Sequence, residues 1–141
     1  MKIIGFNFSS IHAEKSDNSA ENLNVKTNID ISEIHSVKSD FFNPKESLIG
    51  VKFEYKIDYE PEFAKIYFIG TVLFSMDSKE SSEILKQWED KKIPENFRMS
   101  LFNIILKKSN LRSLQLEEEL NLPLHIPMPS LKPQSKQKNS Q

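Results

Sequence analysis

The strongest constraint on the fold of this chain is a run of alternating residues at 51–59, VKFEYKIDY. Its odd-numbered positions are all large and apolar: Val51, Phe53, Tyr55, Ile57 and Tyr59. The positions between them are charged, and this period of two predicts a β-strand with one buried face. Shorter runs of the same period at 4–9 and 25–32 predict two more half-buried strands.

A fourth run, at 64–76, is apolar on both of its faces. Pro61 separates it from the third run, so residues 60–63 are predicted to form the turn of an antiparallel hairpin. The face that matters most for function is the second one, which carries Tyr67, Ile69 and Leu73. A strand that is apolar on both faces is usually central, or is covered on its second face by a helix or another subunit.

The period changes after Met76. Asp77 followed by Glu80 resembles a capping box and predicts a short surface helix that includes Trp88. Pro94 fits the first position of a longer amphipathic helix that extends to about residue 108. Ser109 and Asn110 are weak helix formers, so a separate short helix is predicted at 111–122, ending before Pro123.

The composition excludes several classes of function. Nineteen basic and 20 acidic residues give a net charge of −1, without the basic excess of a nucleic-acid-binding protein. No run approaches the roughly 20 apolar residues of a membrane helix, and no signal peptide is evident at the N-terminus. We therefore expect no nucleic acid, no membrane insertion and a cytoplasmic location.

No pattern of catalytic or metal-binding residues is visible. The three histidines lack metal-site spacing, and none of the three glycines frames a nucleophile or a phosphate loop. The chain has no cysteine. The acidic run at 117–119 is interpreted as a solvated helix face. The sequence predicts neither an enzyme nor a cofactor.

A helix-turn-helix can be drawn over residues 93–123, with its second helix in the recognition position. That helix would carry Glu117, Glu118 and Glu119 toward the phosphates, with only Gln115 as a plausible base reader. The electrostatics oppose DNA binding, which stays the weakest alternative.

Excess apolar surface is better supported. The fourth strand carries more apolar side chains than a small core can bury, and the surplus is Tyr67, Ile69 and Leu73. The same holds for further candidates along the chain: Phe41, Phe42, Trp88, Phe102 and Leu106. Such surface is typical either of a subunit interface or of a site for a client polypeptide.

The segment NLPLHIPMP at 121–129, here called the strap, precedes a polar tail. Its apolar residues Leu122, Leu124, Ile126 and Met128 alternate with proline and histidine. The alternation predicts an extended segment that packs these four side chains against the body or a neighbouring subunit, with His125 at a polar edge. The chain is thus divided into one domain at 1–129 and a disordered polar tail at 130–141.

The order of elements resembles the SecB-like family of secretion and holdase chaperones, in particular its divergent archaeal and toxin-linked members. In that family a strand with a central glycine leads through a loop to a helix that starts near proline, and then to a stretch containing leucine and proline. The matching features here are YFIGTVLF, Pro94 with Phe97, and Leu120, Leu122 and Pro123. The resemblance spans about residues 3–128.

The resemblance implies an α+β fold, a four-stranded antiparallel sheet with two or three helices on one face. It also implies assembly into dimers or a tetramer, a link to protein transport, and binding of unfolded polypeptide along apolar grooves without cofactor or catalysis. The alternative is a structural or regulatory protein whose apolar surface is used for oligomerisation or for one fixed partner.

Overall fold

The computed structural model describes residues 1–38, 46–131 and 133, and within them the fold is α+β. Four strands and two helices follow one another along the chain: β1 (Lys2–Lys15), β2 (Asn24–Val37), β3 (Glu46–Glu60), β4 (Ala64–Asp77), α1 (Ser78–Trp88) and α2 (Glu95–Glu119). Phe41 and Phe42 lie outside the described residues, as does most of the predicted tail. Neither helix in the described ranges is long and apolar enough to cross a membrane.

The four strands form one antiparallel sheet in the order β1-β4-β3-β2. β4 is therefore central, as its two apolar faces predict, and β1 and β2 are the edges. In the hairpin of β3 and β4, Val51 lies opposite Val72 and Tyr55 opposite Phe68. These residues belong to the buried face, and α1 and α2 pack against it.

Two contacts fix the start of each helix relative to the sheet. Asp77 caps α1, because its carboxylate accepts a hydrogen bond of 2.8 Å from the Glu80 amide. The ring of Phe97, in the first turn of α2, contacts that of Phe74 on β4 with 4.8 Å between centroids. The helices thus begin over the end of β4 where the chain leaves the sheet.

The prediction of two helices in the region 94–122 is wrong, since α2 runs unbroken to Glu119. Ser109 is buried against the sheet, and Asn110 accepts a hydrogen bond of 2.7 Å from the Tyr55 hydroxyl. These contacts outweigh the weak helix propensity of the two residues. Because residues 109–111 form no turn, the helix-turn-helix alternative is also wrong.

Six of the seven buried residues of α2 follow one another at steps of four: Phe97, Leu101, Ile105, Ser109, Ser113 and Glu117. A row with this spacing is inclined to the helix axis, so it winds around the helix and follows a twisted sheet. The first half of the row is apolar and the second half is polar. In its C-terminal half α2 therefore buries mainly polar side chains, and Leu116 is the apolar exception.

Gly70, in the middle of β4, allows the Phe53 ring to lie against the backbone. A Cβ added at this glycine would be 2.6 Å from Phe53 Cζ and 2.8 Å from the carbonyl oxygen of Asn7. We expect Gly70→Ala to lower the free energy of unfolding by about 1–3 kcal/mol, as overpacking of a filled core does. Urea titration at fixed protein concentration measures the change.

Gly5→Ala is the matched control, because Gly5 lies on β1 beside the same central strand. A Cβ there would meet Leu73 Cβ at 3.5 Å, which is an ordinary contact. We expect this variant to unfold within about 0.5 kcal/mol of the parent. Equal urea midpoints for the two variants would show that the Phe53 ring does not need the space above Gly70.

Candidate functional site

The predicted surface residues fall on opposite sides of the sheet. Tyr67, Ile69 and Leu73 are half-buried and lie on the face that points away from the helices, here called the open face. Tyr67 donates a hydrogen bond of 2.8 Å to Glu54 on the neighbouring strand. These three side chains form an apolar stripe along β4, and Tyr67 and Ile69 lie opposite Lys56 and Glu54 of β3.

The candidates on the helices lie on the other side. Phe102 is half-buried beneath the Arg98 guanidinium, and Leu106 is exposed one turn further along α2. Trp88, at the end of α1, is half-buried with the Lys91 ammonium 4.5 Å from its ring centroid. The structure therefore does not bring the predicted residues into one groove.

The edge strand β1 exposes apolar side chains at its two ends and keeps those predicted to be half-buried, Phe6 and Phe8, partly covered. Ile3 and Ile11 are 40% and 45% exposed, and Phe6 and Phe8 are half-buried. The rings of Phe6 and Phe8 join the core aromatics on the helix side; that of Phe8 lies 4.9 Å from Phe68. The alternation at 4–9 showed which side these residues face but not that the strand is an edge.

The two edges of the sheet differ in charge. Between Lys2 and Glu14, β1 contains no lysine, arginine, aspartate or glutamate, whereas β2 carries Lys26, Asp30 and Glu33 along its length. Charged side chains on an edge strand oppose pairing with another chain. β2 thus has a charge-based protection against such pairing that β1 lacks, and in β1 only two register shifts, near Ile3 and Phe8, interrupt the regular strand.

A buried polar cluster lies at the other end of the molecule, between β3, the end of α2 and the strap. Glu117 is fully buried and the His125 side chain is 2% exposed, with Nδ1 at 2.7 Å from Glu117 Oε2. The Tyr59 hydroxyl lies 2.6 Å from Glu117 Oε2 and 2.6 Å from the carbonyl oxygen of Pro123. The second ring nitrogen of His125 is 2.9 Å from Asn110 Oδ1.

Burial also affects the two tyrosines of this cluster. It raises the pKa of the Tyr55 hydroxyl to about 12, and the negative charge of Glu117 acts in the same direction. Burial and the adjacent Glu117 carboxylate raise the pKa of Tyr59 well above its usual range. Both hydroxyls therefore remain protonated donors at neutral pH.

Two predictions about these residues are wrong: Glu117 does not lie on a solvated face, because the helix turns it toward the sheet, and His125 does not lie at a polar edge, because its side chain is 2% exposed. Of the four apolar strap residues, only Leu122 packs into the core, while Leu124 and Met128 are 41% and 53% exposed and Ile126 is half-buried. Packing of these three against a neighbouring subunit stays a prediction. The inward side of the strap carries His125, because Glu117 and Asn110 offer it hydrogen bonds.

The cluster is closed to solvent, so its hydrogen bonds hold the strap against the body of the protein. Every described hydrogen bond in it joins the strap to the body or joins two body residues. The alternation of apolar residues in the strap could not predict this cluster, because the strap residue that faces inward, His125, is polar.

Neither a model of a known protein family nor a curated protein sequence matches the chain. A solved structure does resemble it: the SecB-like chaperone Rv1957 of Mycobacterium tuberculosis, in complex with a ChAD peptide from the HigA1 antitoxin. The match covers 94% of this chain and 92% of that chain, with a TM-score of 0.51 and 14% identity. The four-stranded antiparallel sheet with two helices is thus a SecB-like fold.

Proposed function

We propose that this chain is a chaperone-type binding protein that shields apolar segments of unfolded polypeptides without catalysis. The observation that carries the proposal is the uncharged edge β1, where exposed Ile3 and Ile11 flank half-buried Phe6 and Phe8. The similar structure is that of a chaperone with a bound peptide, which supports a polypeptide ligand on this fold.

An extended client segment pairs with β1 through two kinds of contact. The free N–H and C=O groups of the edge offer hydrogen bonds that do not depend on client sequence. Phe6, Phe8 and Ile11 offer apolar contacts to alternate side chains of the client. Together they give weak, sequence-tolerant binding, which suits a protein that delays aggregation.

The stripe of Tyr67, Ile69 and Leu73 on the open face and the pair Phe102 and Leu106 on α2 are proposed as secondary contact surfaces. They lie on opposite sides of the sheet, so a long client reaches both only by passing around an edge. This arrangement favours clients that are unfolded over long stretches.

A test compares two single lysine substitutions in an assay of client aggregation. We expect the parent protein, at a few-fold molar excess, to slow the aggregation of a denatured model substrate, and Ile11→Lys to lose at least about half of that protection. Leu111→Lys is the matched control, because it adds the same charge on α2 at a residue that is 58% exposed. No protection by the parent protein would exclude the proposal.

The main alternative is that β1 pairs with a second copy and leaves no surface for clients. The same uncharged edge favours this pairing, which would extend the sheet across a dimer. Light scattering separates the two: Ile11→Lys would then reduce the molar mass, and the parent protein would bind little hydrophobic dye. A parent protein that both oligomerises and protects clients would assign β1 to assembly and the open face to clients.

A further inference from the structure

We propose that the cavity that holds the His125 ring is a recognition site for a histidine of an extended polypeptide, and that the strap of this chain fills it in cis. The site is distinct from the β1 edge and does not depend on the proposed function. Its walls are four side chains of the body: Tyr55, Tyr59, Asn110 and Glu117.

The walls of the cavity are arranged by contacts that do not involve the strap. The Tyr55 hydroxyl donates to Asn110 Oδ1 at 2.7 Å, and the Tyr59 hydroxyl lies 2.6 Å from Glu117 Oε2. Both tyrosines belong to β3 and the other two residues to α2, so all four walls stand on regular secondary structure. A site organised in this way loses little freedom when it binds its ligand.

Polar groups of the cavity contact both nitrogens of the imidazole ring. Glu117 receives Nδ1 at 2.7 Å, and Asn110 Oδ1 lies 2.9 Å from Nε2 with the Tyr55 hydroxyl at 3.2 Å. A lysine ammonium is a single point donor and cannot reach both walls at once. The geometry therefore favours histidine over lysine.

The backbone of the ligand is read as well. The amide of His125 donates to Glu117 Oε1 at 3.3 Å, and the carbonyl oxygen two residues earlier, that of Pro123, lies 2.6 Å from the Tyr59 hydroxyl, whose single proton is shared between this oxygen and Glu117. These contacts need an extended segment with a histidine, and they do not involve the neighbouring side chains.

Beyond Leu122 the strap is held by little else. Leu122 is fixed by the end of α2, where its amide bonds Glu117 O at 2.8 Å and Asn121 adopts a left-handed φ of 53°. Leu124 and Met128 are largely exposed and add little apolar burial. A segment with so few buried contacts opens at a lower free energy than the whole fold.

When the strap opens, the cavity loses the His125 ring that fills it. Within the described residues, the only ion-pair partner of the buried Glu117 carboxylate is His125. Opening removes both contacts of the strap with Glu117, the His125 ring and the His125 amide, and leaves the Tyr59 hydroxyl. The carboxylate can then accept hydrogen bonds from an imidazole of another source. The same chemistry is offered by the strap of a second copy and by a histidine-containing segment of an unrelated polypeptide.

Chemical rescue of the full-length His125→Ala variant tests the site directly. We expect millimolar imidazole to raise the thermal midpoint of this variant by about 3 °C or more. The same imidazole concentration should leave the parent protein unchanged, because its cavity is full, and methylammonium should not replace imidazole. An equal response from His125→Ala/Glu117→Gln, or no response from His125→Ala, would overturn the proposal.

A peptide of residues 121–130 tests binding in trans, and it does not require His125→Ala to fold. His125→Asn keeps a polar side chain in the cavity but weakens the strap, so we expect it to bind the peptide at least tenfold more tightly than the parent, whose own strap competes at high effective concentration. A peptide with alanine in place of the histidine should bind at least tenfold more weakly. Equal binding of the two peptides, or no binding to either protein, would contradict the proposal.

A third peptide, with the histidine retained and its apolar neighbours shuffled, identifies the source of the natural ligand. Binding of only the original sequence points to the strap of a second copy. Binding of both points to histidine-containing polypeptides in general, and either result supports the site.

Discussion

Replacing Glu117 by alanine is expected to lower the free energy of unfolding by about 3–5 kcal/mol, the cost of breaking a buried ion pair. The carboxylate is fully buried and contacts Tyr59, the ring of His125 and the His125 amide. Its removal leaves two nitrogens of the strap without their acceptor, and a cavity at the helix–sheet contact. Urea titration at fixed protein concentration, followed by circular dichroism, measures the change.

Glu118→Ala is the matched control, because it removes the same side chain from the next position, which is exposed. Its effect should stay within about 0.5 kcal/mol. A second comparison replaces both members of the pair: Glu117→Leu with His125→Leu should cost less than Glu117→Ala alone, since it leaves no unpaired polar partner in the pair. If Glu117→Ala and Glu118→Ala have the same urea midpoint, the polar cluster does not stabilise the fold.

The sheet could be predicted from sequence because its signal is local. Alternation at 51–59 marks β3, and the two apolar faces of 64–76 place β4 in the centre, where both neighbours are strands. The strands at the edges could not be predicted in this way, because the alternation of residues in β1 does not show that one side of the strand has no neighbour. The exposure of Ile11 and Phe8 therefore became visible only with the topology.

The C-terminal third was predicted less well because its buried side chains are polar. In α2 the row of buried residues changes from Phe97, Leu101 and Ile105 to Ser109 and Glu117, so an apolar pattern stops where the helix continues. The strap shows the same effect. Hydrophobic periodicity identifies side chains that are buried because they are apolar. Glu117 and His125 are polar, and they are buried only because each is the hydrogen-bond partner of the other.

The tyrosines of the cluster predict how stability falls at alkaline pH. In the unfolded chain a tyrosine loses its proton near pH 10, whereas burial raises the pKa of Tyr55 in the folded protein to about 12. Between these values the unfolded state binds fewer protons than the folded state, so stability decreases as pH rises. The contribution of Tyr55 is fully present below about pH 10 and is lost by about pH 12.

Tyr55→Phe should therefore show a different pH dependence from the parent protein. At neutral pH the variant lacks the hydrogen bond to Asn110 and should be less stable by about 1 kcal/mol. Phenylalanine does not titrate, so this difference should shrink from pH 10 upward and approach zero or reverse near pH 12. Lysines titrate over the same range in both proteins, and their effect cancels in the comparison.

Tyr67→Phe supplies the control, because Tyr67 is the third of the chain's three tyrosines and lies on the open face, where water reaches its surroundings. Urea midpoints of the parent and both variants, measured at intervals from about pH 8 to about pH 12, give the three curves. The hydrogen bond to Glu54 raises the pKa of Tyr67 too, so the control also changes with pH. The difference between parent and Tyr55→Phe should depend on pH more steeply than that between parent and Tyr67→Phe, because Tyr55 is fully buried and Tyr67 is half-buried. Parallel curves for all three proteins would mean that the Tyr55 hydroxyl ionises as readily in the folded state as in the unfolded chain, and that water enters the cluster beneath the strap.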